Sequence, residues 1–206
     1  MPERAYREEL WRAVPPGARP ERFALRRAFL LAAVEPGERV LDLGSGEGFF
    51  AAALAGAGAS VLAADVAEEP LRRAGAAHPE LELKLLESEA AWDLPDAGFD
   101  VVWAGEVIEH VADTAGWMSE VRRVLRSGGR LLVSTPQLGR FELIAAALSR
   151  RAFERRFDPR SDHLHHYSRA SLAALMSDFG FERIDVRFAG RPGARVLLAS
   201  AVRARF

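Results

Sequence analysis

Three glycines at alternate positions follow a short apolar run near residue 40, and this stretch constrains the fold more than any other. It reads Val40-Leu41-Asp42-Leu43-Gly44-Ser45-Gly46-Glu47-Gly48 and continues into Phe49-Phe50 and three alanines. Glycine is needed where the backbone takes a positive φ or touches a ligand. The pattern therefore predicts a buried strand, a tight turn and a helix, whose unpaired first amides are available to a polar ligand.

The spacing of the glycines separates two classes of ligand. A dinucleotide-binding turn has the pattern G-x-G-x-x-G, in which the third glycine lies five positions after the first. Here Gly44, Gly46 and Gly48 follow Asp42, so the pattern is D-x-G-x-G-x-G. This stretch resembles the first motif of the class I S-adenosylmethionine-dependent methyltransferases.

The resemblance implies S-adenosyl-L-methionine as the cofactor and gives roles to the residues of the turn. In that family the acidic residue lies near the ammonium group of the methionine, and the glycine backbone passes along the methionine and the ribose. The residues assigned to the cofactor on this basis are Asp42, Gly44, Ser45, Gly46 and Gly48. A glycine-rich turn without a ligand stays open on the motif alone.

An acidic residue also ends the second apolar run. Residues 60–64 are predicted to form a strand that stops at Asp65, about twenty residues after the turn, where a carboxylate can accept hydrogen bonds from both ribose hydroxyls. Asp65 matches the family's second motif by position, and Val66 follows it into the predicted cofactor site. Dinucleotide enzymes also place an acid here, so Asp65 supports nucleoside binding without choosing between the two families.

The segment after the third predicted strand departs from the family pattern. The family often has Asp-Ala here, with the acid holding the adenine amino group, whereas this chain has Glu87-Ser88-Glu89-Ala90-Ala91-Trp92. An ungapped alignment puts Ser88 in place of the acid, and a shift of one residue gives Glu89. We assign Glu89 to the cofactor and expect Trp92 to pack near the adenine.

The resemblance is close after the fourth predicted strand, residues 99–104. The family pattern Phe-Asp-x-Val, then Glu-Val-x-Glu-His-Val, then a helix ending in Arg-Val-Leu-x-x-Gly-Gly is matched from Phe99 to Gly129. Ala104 and Gly105, at the end of the strand, are assigned to the cofactor. Asp113 is predicted to cap the helix, Gly128 to lie just after its end, and residues 130–135 to form the fifth strand.

These alternating elements predict an α/β fold with a Rossmann-like, seven-stranded, mostly parallel sheet, helices on both faces and an antiparallel final strand. A chain of 206 residues suits one such domain. We predict an N-terminal helical cap over residues 1–35, a methyltransferase domain over 36–206 and a helical insertion at about 137–167. The apolar face predicted for the insertion comprises Phe141, Ile144, Ala145 and Leu148.

Composition excludes several classes of site and partner. The chain has no cysteine, which excludes disulfides, zinc-thiolate sites and iron–sulfur clusters, and with them radical use of S-adenosylmethionine. A net charge of -1 gives no overall electrostatic attraction to nucleic acid, so nucleic acid is not an expected partner. With no long apolar run and no signal peptide, the chain is predicted to be cytoplasmic and without a membrane span. The oligomeric state stays open, a homodimer included.

The candidates for catalysis follow from the reaction that the resemblance implies. Methyl transfer from a sulfonium is an in-line displacement, so much of the rate can come from positioning, and a base is required only if the acceptor loses a proton. Histidine suits a phenol or hydroxyl acceptor at neutral pH. The candidates are Glu106, His110, His163 and His166, with His165 beside them. A structural role at the loop after the fourth strand is the alternative for His110 and Glu109.

Neither a metal site nor a nucleic-acid acceptor is expected from the sequence. The histidines at 163, 165 and 166 raise the question of a metal, but only Asp158 and Asp162 lie near them, and we expect none. No Asn/Asp-Pro-Pro-aromatic motif follows the fourth strand, which disfavours the amide and nucleobase-amine N-methyltransferases. A single lysine, Lys84, excludes the Lys-Asp-Lys-Glu tetrad of ribose methylation.

What remains is a resemblance to methyltransferases of the ubiquinone/menaquinone-biosynthesis type and to other small-molecule methyltransferases. It implies methyl transfer to a small-molecule or lipid-like acceptor, at oxygen or carbon. Two alternatives stay open. One is a non-catalytic protein that binds S-adenosylmethionine and acts through partner contacts, and the other is an RNA methyltransferase that uses the arginine-rich C-terminal part.

Overall fold

The computed structural model describes residues 2–137, 143–144, 147–156, 158, 161–190 and 195–205. The helices are α1 (Pro2–Ala13), α2 (Phe23–Ala33), α3 (Phe49–Ala55), α4 (Glu68–Ala77), α5 (Thr114–Val124), α6 (Arg150–Arg156) and α7 (Arg169–Asp178), with a 3₁₀ turn at Ile108–His110. The strands are β1 (Arg39–Leu43), β2 (Ser60–Asp65), β3 (Glu82–Leu85), β4 (Phe99–Gly105), β5 (Leu125–Pro136), β6 (Phe181–Ala189) and β7 (Val196–Arg203).

The seven strands form one sheet in the order β3-β2-β1-β4-β5-β7-β6. Strands β1 to β5 are parallel, whereas β7 runs antiparallel to both β5 and β6. This confirms the predicted Rossmann-like sheet and its antiparallel final strand. The strand order reverses between β1 and β4, and in open α/β sheets the ligand crevice lies at the carboxyl ends of the strands at such a point.

The two faces of the sheet bury separate apolar clusters. On one face, Trp117 and Met118 of α5 pack with Leu131 of β5. On the other, Phe29 and Leu30 of α2 pack with Trp103 of β4 and with α3. Because both faces are covered, the central strands are near-continuous apolar runs, as parallel sheets require. α2 therefore forms part of the main core, while α1 lies above the carboxyl edge of the sheet.

The fifth strand begins earlier than predicted. α5 ends at Val124, and Leu125 already pairs with Phe99 of β4 before the register shifts. Gly128 adopts a φ of 76° inside the span of β5, so its predicted position just after the helix end was wrong. The physical reason is the irregular pairing between β4 and β5, which places a left-handed residue in the strand rather than at a helix end.

The predicted insertion is described only in part. Phe141 and Ala145 lie outside the described residues, while Ile144 and Leu148 are helical and exposed. No helix within the described ranges is long and apolar enough to cross a membrane. The C-terminal end of the insertion is tied to the sheet by a bridge between Gln137 and Tyr167.

Ser168→Ala is expected to lower the free energy of unfolding by about 1 kcal/mol, because a capping box is lost. The Ser168 hydroxyl accepts from the Ser171 amide, and the Ser171 hydroxyl accepts from the Ser168 amide, at the start of α7. Urea unfolding followed by circular dichroism measures the change. Ser177→Ala, at an exposed position of the same helix, is the control and is expected to stay within about 0.5 kcal/mol. An equal effect of both variants would contradict the role of the cap.

Candidate active site

A cavity of about 260 Å³ opens at the carboxyl ends of β1, β2 and β4, below α1. It brings together six residues assigned from the sequence to cofactor or catalysis: Gly44, Asp65, Val66, Glu89, Glu106 and His110. α1 contributes the opposite wall through Arg7, Leu10 and Trp11. Residues from the glycine turn, from the end of β2 and from the loop after β4 thus border one continuous space.

The glycine turn needs glycine for two different reasons. Gly44, Gly46 and Gly48 all have positive φ, at 69°, 55° and 78°. A Cβ on Gly44 would overlap the Val107 side chain, and one on Gly46 would lie 2.8 Å from the Trp11 ring. Gly48 instead begins α3 and packs toward α4. Gly44 and Gly46 therefore keep the backbone bare at the cavity, and Gly48 serves the turn itself.

Asp65 holds the turn and also faces the cavity. One carboxylate oxygen accepts from the Gly46 amide at 3.0 Å, and the other accepts from the Ala67 amide at 2.9 Å. Burial raises the pKa of Asp65, while these amides oppose the shift. A carboxylate has about four acceptor positions, so Asp65 can accept further hydrogen bonds from hydroxyl groups in the cavity.

Some buried polar atoms in and near the turn have no hydrogen-bond partner. Asp42 is 1% exposed, Arg26 2% and Ser45 8%. Within the described residues, Asp42 Oδ2, Ser45 Oγ and Arg26 Nε are all buried without a hydrogen-bond partner. Buried polar groups are nearly always paired, so each exception calls for an explanation. A buried carboxyl group and a buried guanidinium group, each with unused hydrogen-bonding capacity, fit a zwitterion. The amino-acid end of S-adenosylmethionine is a zwitterion.

The charges of this pair are perturbed by burial. Burial raises the pKa of Asp42 to about 7, against a hydrogen bond from the Ala51 amide and the charge of Arg26. Burial also lowers the pKa of Arg26, against the charges of Glu106, Glu109 and Asp42. The Arg26 guanidinium stacks on Phe50, with its Cζ 4.7 Å from the ring centroid. Both groups are thus held in an environment where an ion of opposite sign would stabilise them.

Sequence reasoning missed Arg26. The signal was present, because Arg26 lies three positions after Phe23 and three before Phe29, on the apolar face of α2 where an arginine is out of place. Six of the residues assigned to the cofactor do not line the cavity: Asp42, Ser45, Gly46, Gly48, Ala104 and Gly105. Ala104 is fully buried in β4, and a Cβ on Gly105 would overlap the Arg26 guanidinium. Gly105 therefore makes room for Arg26.

The side of the cavity predicted for the adenine is largely apolar. Leu86, Trp92, Val111 and Trp117 line it, and the two indole rings meet edge to face at 6.4 Å. Glu89 lies at its rim, where its carboxylate accepts from Arg7 and from the Ala112 amide, both at 3.2 Å. The Ser88 hydroxyl instead accepts from the Ala91 amide within its own turn.

Two carboxylates meet at the end of β4. Glu106 has a φ of 60° and accepts from the Ser134 hydroxyl at 2.9 Å. Glu109 is 1% exposed; one oxygen accepts from the Thr135 hydroxyl at 2.9 Å, and the other, Oε1, has no partner among the described residues. Burial, and next the charge of Glu106, raise the pKa of Glu109 to about 8. Backbone strain in a non-glycine residue such as Glu106 often marks a functional position.

His110 faces the cavity beside these carboxylates. Its Nδ1 lies 2.8 Å from the carbonyl oxygen of Asp162, and burial lowers its pKa. The ring of His163 stands edge-on to that of His110, with centroids 4.8 Å apart, but His163 does not line the cavity. His166 is exposed, and its ring lies 6.5 Å from that of His163. The structure thus joins Glu106, His110 and His163 and leaves His166 outside.

Comparison with known proteins agrees with this geometry. A family model described as a methyltransferase domain matches residues 17–186. A protein of Mycolicibacterium smegmatis named "Probable S-adenosylmethionine-dependent methyltransferase" is 41% identical over 100 residues, covering 48% of this chain and 38% of that protein. A ubiquinone biosynthesis O-methyltransferase of Ruegeria is 39% identical over 103 residues, covering 48% and 41%. These matches span less than half the length of the curated relatives.

Solved structures give the same fold over a longer range. The 1,6-didemethyltoxoflavin-N1-methyltransferase of Burkholderia thailandensis, solved with 1,6-didemethyltoxoflavin and S-adenosylhomocysteine, has a TM-score of 0.70 at 19% identity and covers 99% of this chain and 85% of its own. An S-adenosylmethionine-dependent methyltransferase of Aquifex aeolicus has a TM-score of 0.65 at 20% identity, covering 86% and 89%. At these identities the likeness concerns the fold.

Asp42→Asn is expected to flatten the pH dependence of stability in the ligand-free protein. Because burial raises the pKa of Asp42 to about 7 from 3.8, the folded state keeps a proton that the unfolded chain releases. The free energy of unfolding therefore falls as the pH rises from about 4 to 7, by up to about 1.4 kcal/mol per pH unit from this group. Urea unfolding at several pH values in this window measures the slope.

The variant should lose part of the slope, not all of it, since burial also raises the pKa values of Asp65 and Glu109. Asp178→Asn, at an exposed position at the end of α7, is the matched control and should keep the wild-type slope. The same slope in wild type and Asp42→Asn would contradict the raised pKa of Asp42.

Proposed function

Because the chain belongs to the S-adenosylmethionine-dependent methyltransferases, we propose that it transfers the methyl group to oxygen or carbon of a small-molecule or lipid-like acceptor. The observation that carries the proposal is one cavity bordered both by the glycine turn and by Glu106 and His110. Such a space lets a cofactor and an acceptor meet without leaving the protein. Most of the rate then comes from holding the two reacting atoms in line.

The cofactor roles follow the charges around the cavity. Asp65 would accept from the ribose hydroxyls, since its carboxylate faces the cavity with acceptor positions left over. Asp42 would face the ammonium and Arg26 the carboxylate of the amino-acid end, which satisfies their unpartnered atoms. When bound, the cofactor supplies an electrophilic methyl group. The apolar side with Trp92 and Trp117 would take the adenine.

The acceptor end is the region of Glu106, His110 and His163. His110 fits the removal of a proton, because the Asp162 carbonyl can only accept, so that Nδ1 carries the hydrogen and Nε2 keeps its lone pair. A buried histidine with a lowered pKa stays neutral near pH 7 and can serve as a base. This chemistry favours a hydroxyl or an acidic carbon as the acceptor. His166 is exposed and does not line the cavity, so it has no part in this proposal.

We propose that residues 1–35 act as a cap in which α1 closes the cavity, while α2 packs into the main core and anchors the cap to the sheet. Arg73 of α4 donates to the carbonyl oxygens of Trp11 and Val14, and it is paired with Glu47 of the glycine turn at 2.9 Å. Arg7 donates to Glu89 and to the carbonyl oxygen of His110. α1 is thus tied to both ends of the cavity, and it would exclude water from the bound sulfonium.

The cofactor assignment predicts two distinct binding defects. Arg26→Gln should weaken S-adenosylhomocysteine at least tenfold yet leave 5′-methylthioadenosine, which lacks the amino-acid carboxylate, nearly unchanged. Asp65→Ala should weaken both ligands at least tenfold, because both carry the ribose. Loss of a charged hydrogen bond of this kind costs about 1.5–3 kcal/mol. Titration calorimetry measures all four affinities.

Arg27→Gln, exposed on the same helix, is the control for Arg26 and should bind both ligands as wild type does. Equal losses for the two ligands in Arg26→Gln would contradict its contact with the carboxylate. If wild type binds NAD and neither adenosyl ligand, the cofactor itself is wrong.

The reaction is tested with acceptors of known chemistry. Phenols with and without a polyprenyl chain, incubated with protein and S-adenosylmethionine, should exchange the hydroxyl hydrogen for a methyl group, a net gain of CH2, while an equal amount of S-adenosylhomocysteine and a proton form. Aryl ethers of the same phenols, which have no free hydroxyl, are the matched control. Binding of the cofactor with no methylated product from any phenol or from acidic carbon acids would overturn the proposed acceptor class.

A further inference from the structure

Three side chains that could bind one ion come together at the acceptor end of the cavity. They are Glu109 and His110 of the 3₁₀ turn and His163 of the loop before α7, here called the Glu-His-His cluster. One ligand atom from each lies within 4.8 Å of those of the other two. Within the part of the chain that the structure describes, this is the one group of three or more such residues.

The carboxylate of the cluster has one oxygen left over. Glu109 Oε2 accepts from the Thr135 hydroxyl, whereas Oε1 is buried without a hydrogen-bond partner. That free oxygen lies 3.9 Å from His110 Nε2, too far for a hydrogen bond. An unpaired carboxylate oxygen in a dry site costs free energy, and a cation placed between the two atoms would remove that cost.

The imidazole of His110 is oriented as in a metal site. His110 Nδ1 must donate to the carbonyl oxygen of Asp162, which leaves the Nε2 lone pair on the side of Glu109. Histidines that bind metals usually donate their other nitrogen to a carbonyl or a carboxylate in this way, and the ligand carboxylate is itself hydrogen-bonded. Asp162 and Thr135 would be these supporting partners.

The loop that carries His163 is held by the backbone of Glu109. The amides of Leu164 and His165 donate to the carbonyl oxygen of Glu109 at 2.8 and 3.0 Å, which fixes the loop that carries His163. The rings of His110 and His163 are then 4.8 Å apart. Donors that share an ion lie about 3–4 Å apart, because each is about 2.1 Å from it. Small side-chain rotations therefore bring all three donors to one position.

We propose that the Glu-His-His cluster binds one divalent transition-metal ion. Two imidazole nitrogens and one carboxylate oxygen suit zinc, manganese, cobalt or iron better than calcium or magnesium, which take mainly oxygen ligands. Glu106, whose charge acts on Glu109, adds negative charge near the ion. In the sequence, only the three histidines at 163, 165 and 166 raised the question of a metal site. The structure instead places His163 with Glu109 and His110.

Such an ion would lie at the wall where His110 borders the cavity. A divalent cation lowers the pKa of a hydroxyl bound to it, so a bound acceptor hydroxyl could pass its proton to the Glu106 carboxylate, which also lines the cavity, while His110 holds the ion. The inference goes beyond the proposed methyl transfer and does not rest on it, since metal binding is measured without cofactor or acceptor.

The test is a titration of chelator-treated, dialysed protein with Co²⁺ and with Zn²⁺. Calorimetry should show one site per chain, and Co²⁺ should give visible absorption bands of nitrogen and oxygen ligation. His163→Ala and Glu109→Gln should each weaken binding at least tenfold. His166→Ala, exposed and outside the cluster, should bind as wild type does.

His163 is only partly buried, so His163→Ala should fold even if Glu109→Gln does not. Absence of ion binding in wild type would overturn the proposal, and so would unchanged affinity in folded His163→Ala. S-adenosylhomocysteine binding, measured on the same samples without metal, shows separately whether the cofactor site is intact. A failed metal titration with intact cofactor binding thus refutes the cluster and leaves the methyltransferase function standing.

Discussion

The bend between β1 and α3 is the constraint on which the rest of the site depends. Gly44 and Gly46 leave the backbone bare where Val107 and the Trp11 ring press against it. A buried carboxylate from the neighbouring strand, Asp65, fixes that backbone through the Gly46 amide. The turn, the strand order and the cavity therefore depend on one another. The crevice lies where the strand order reverses between β1 and β4, and the turn keeps it open.

The parts of this site that sequence could predict are those with a local pattern. The fold was predicted from the alternate glycines, the acid at the end of β2 and the apolar runs of the strands. The same patterns placed Gly44, Asp65 and His110 at one edge of the sheet, where they line the cavity. Arg26 was missed because its role comes from α2 packing beside Gly105, a tertiary contact without a local pattern. Glu109 was considered only as a structural residue of the loop after β4, because its burial depends on how residues 161–167 pack against that loop.

Buried charge of both signs distinguishes this site from the core around it. Arg26, Asp42, Asp65 and Glu109 are almost fully buried, and the carboxylates have raised pKa values. Each such group costs free energy in the ligand-free protein. Natural chains tolerate that cost where a ligand removes it, so part of the stability of this domain is expected to arise only on binding.

The position of Arg7 has a kinetic consequence. Its guanidinium donates both to Glu89 and to the carbonyl oxygen of His110, so α1 contacts both the proposed adenine side and the proposed acceptor side. A movement of α1 that breaks one of these contacts would therefore also disturb the other. Release of the two products of a methyl transfer would then be coupled through α1 rather than independent.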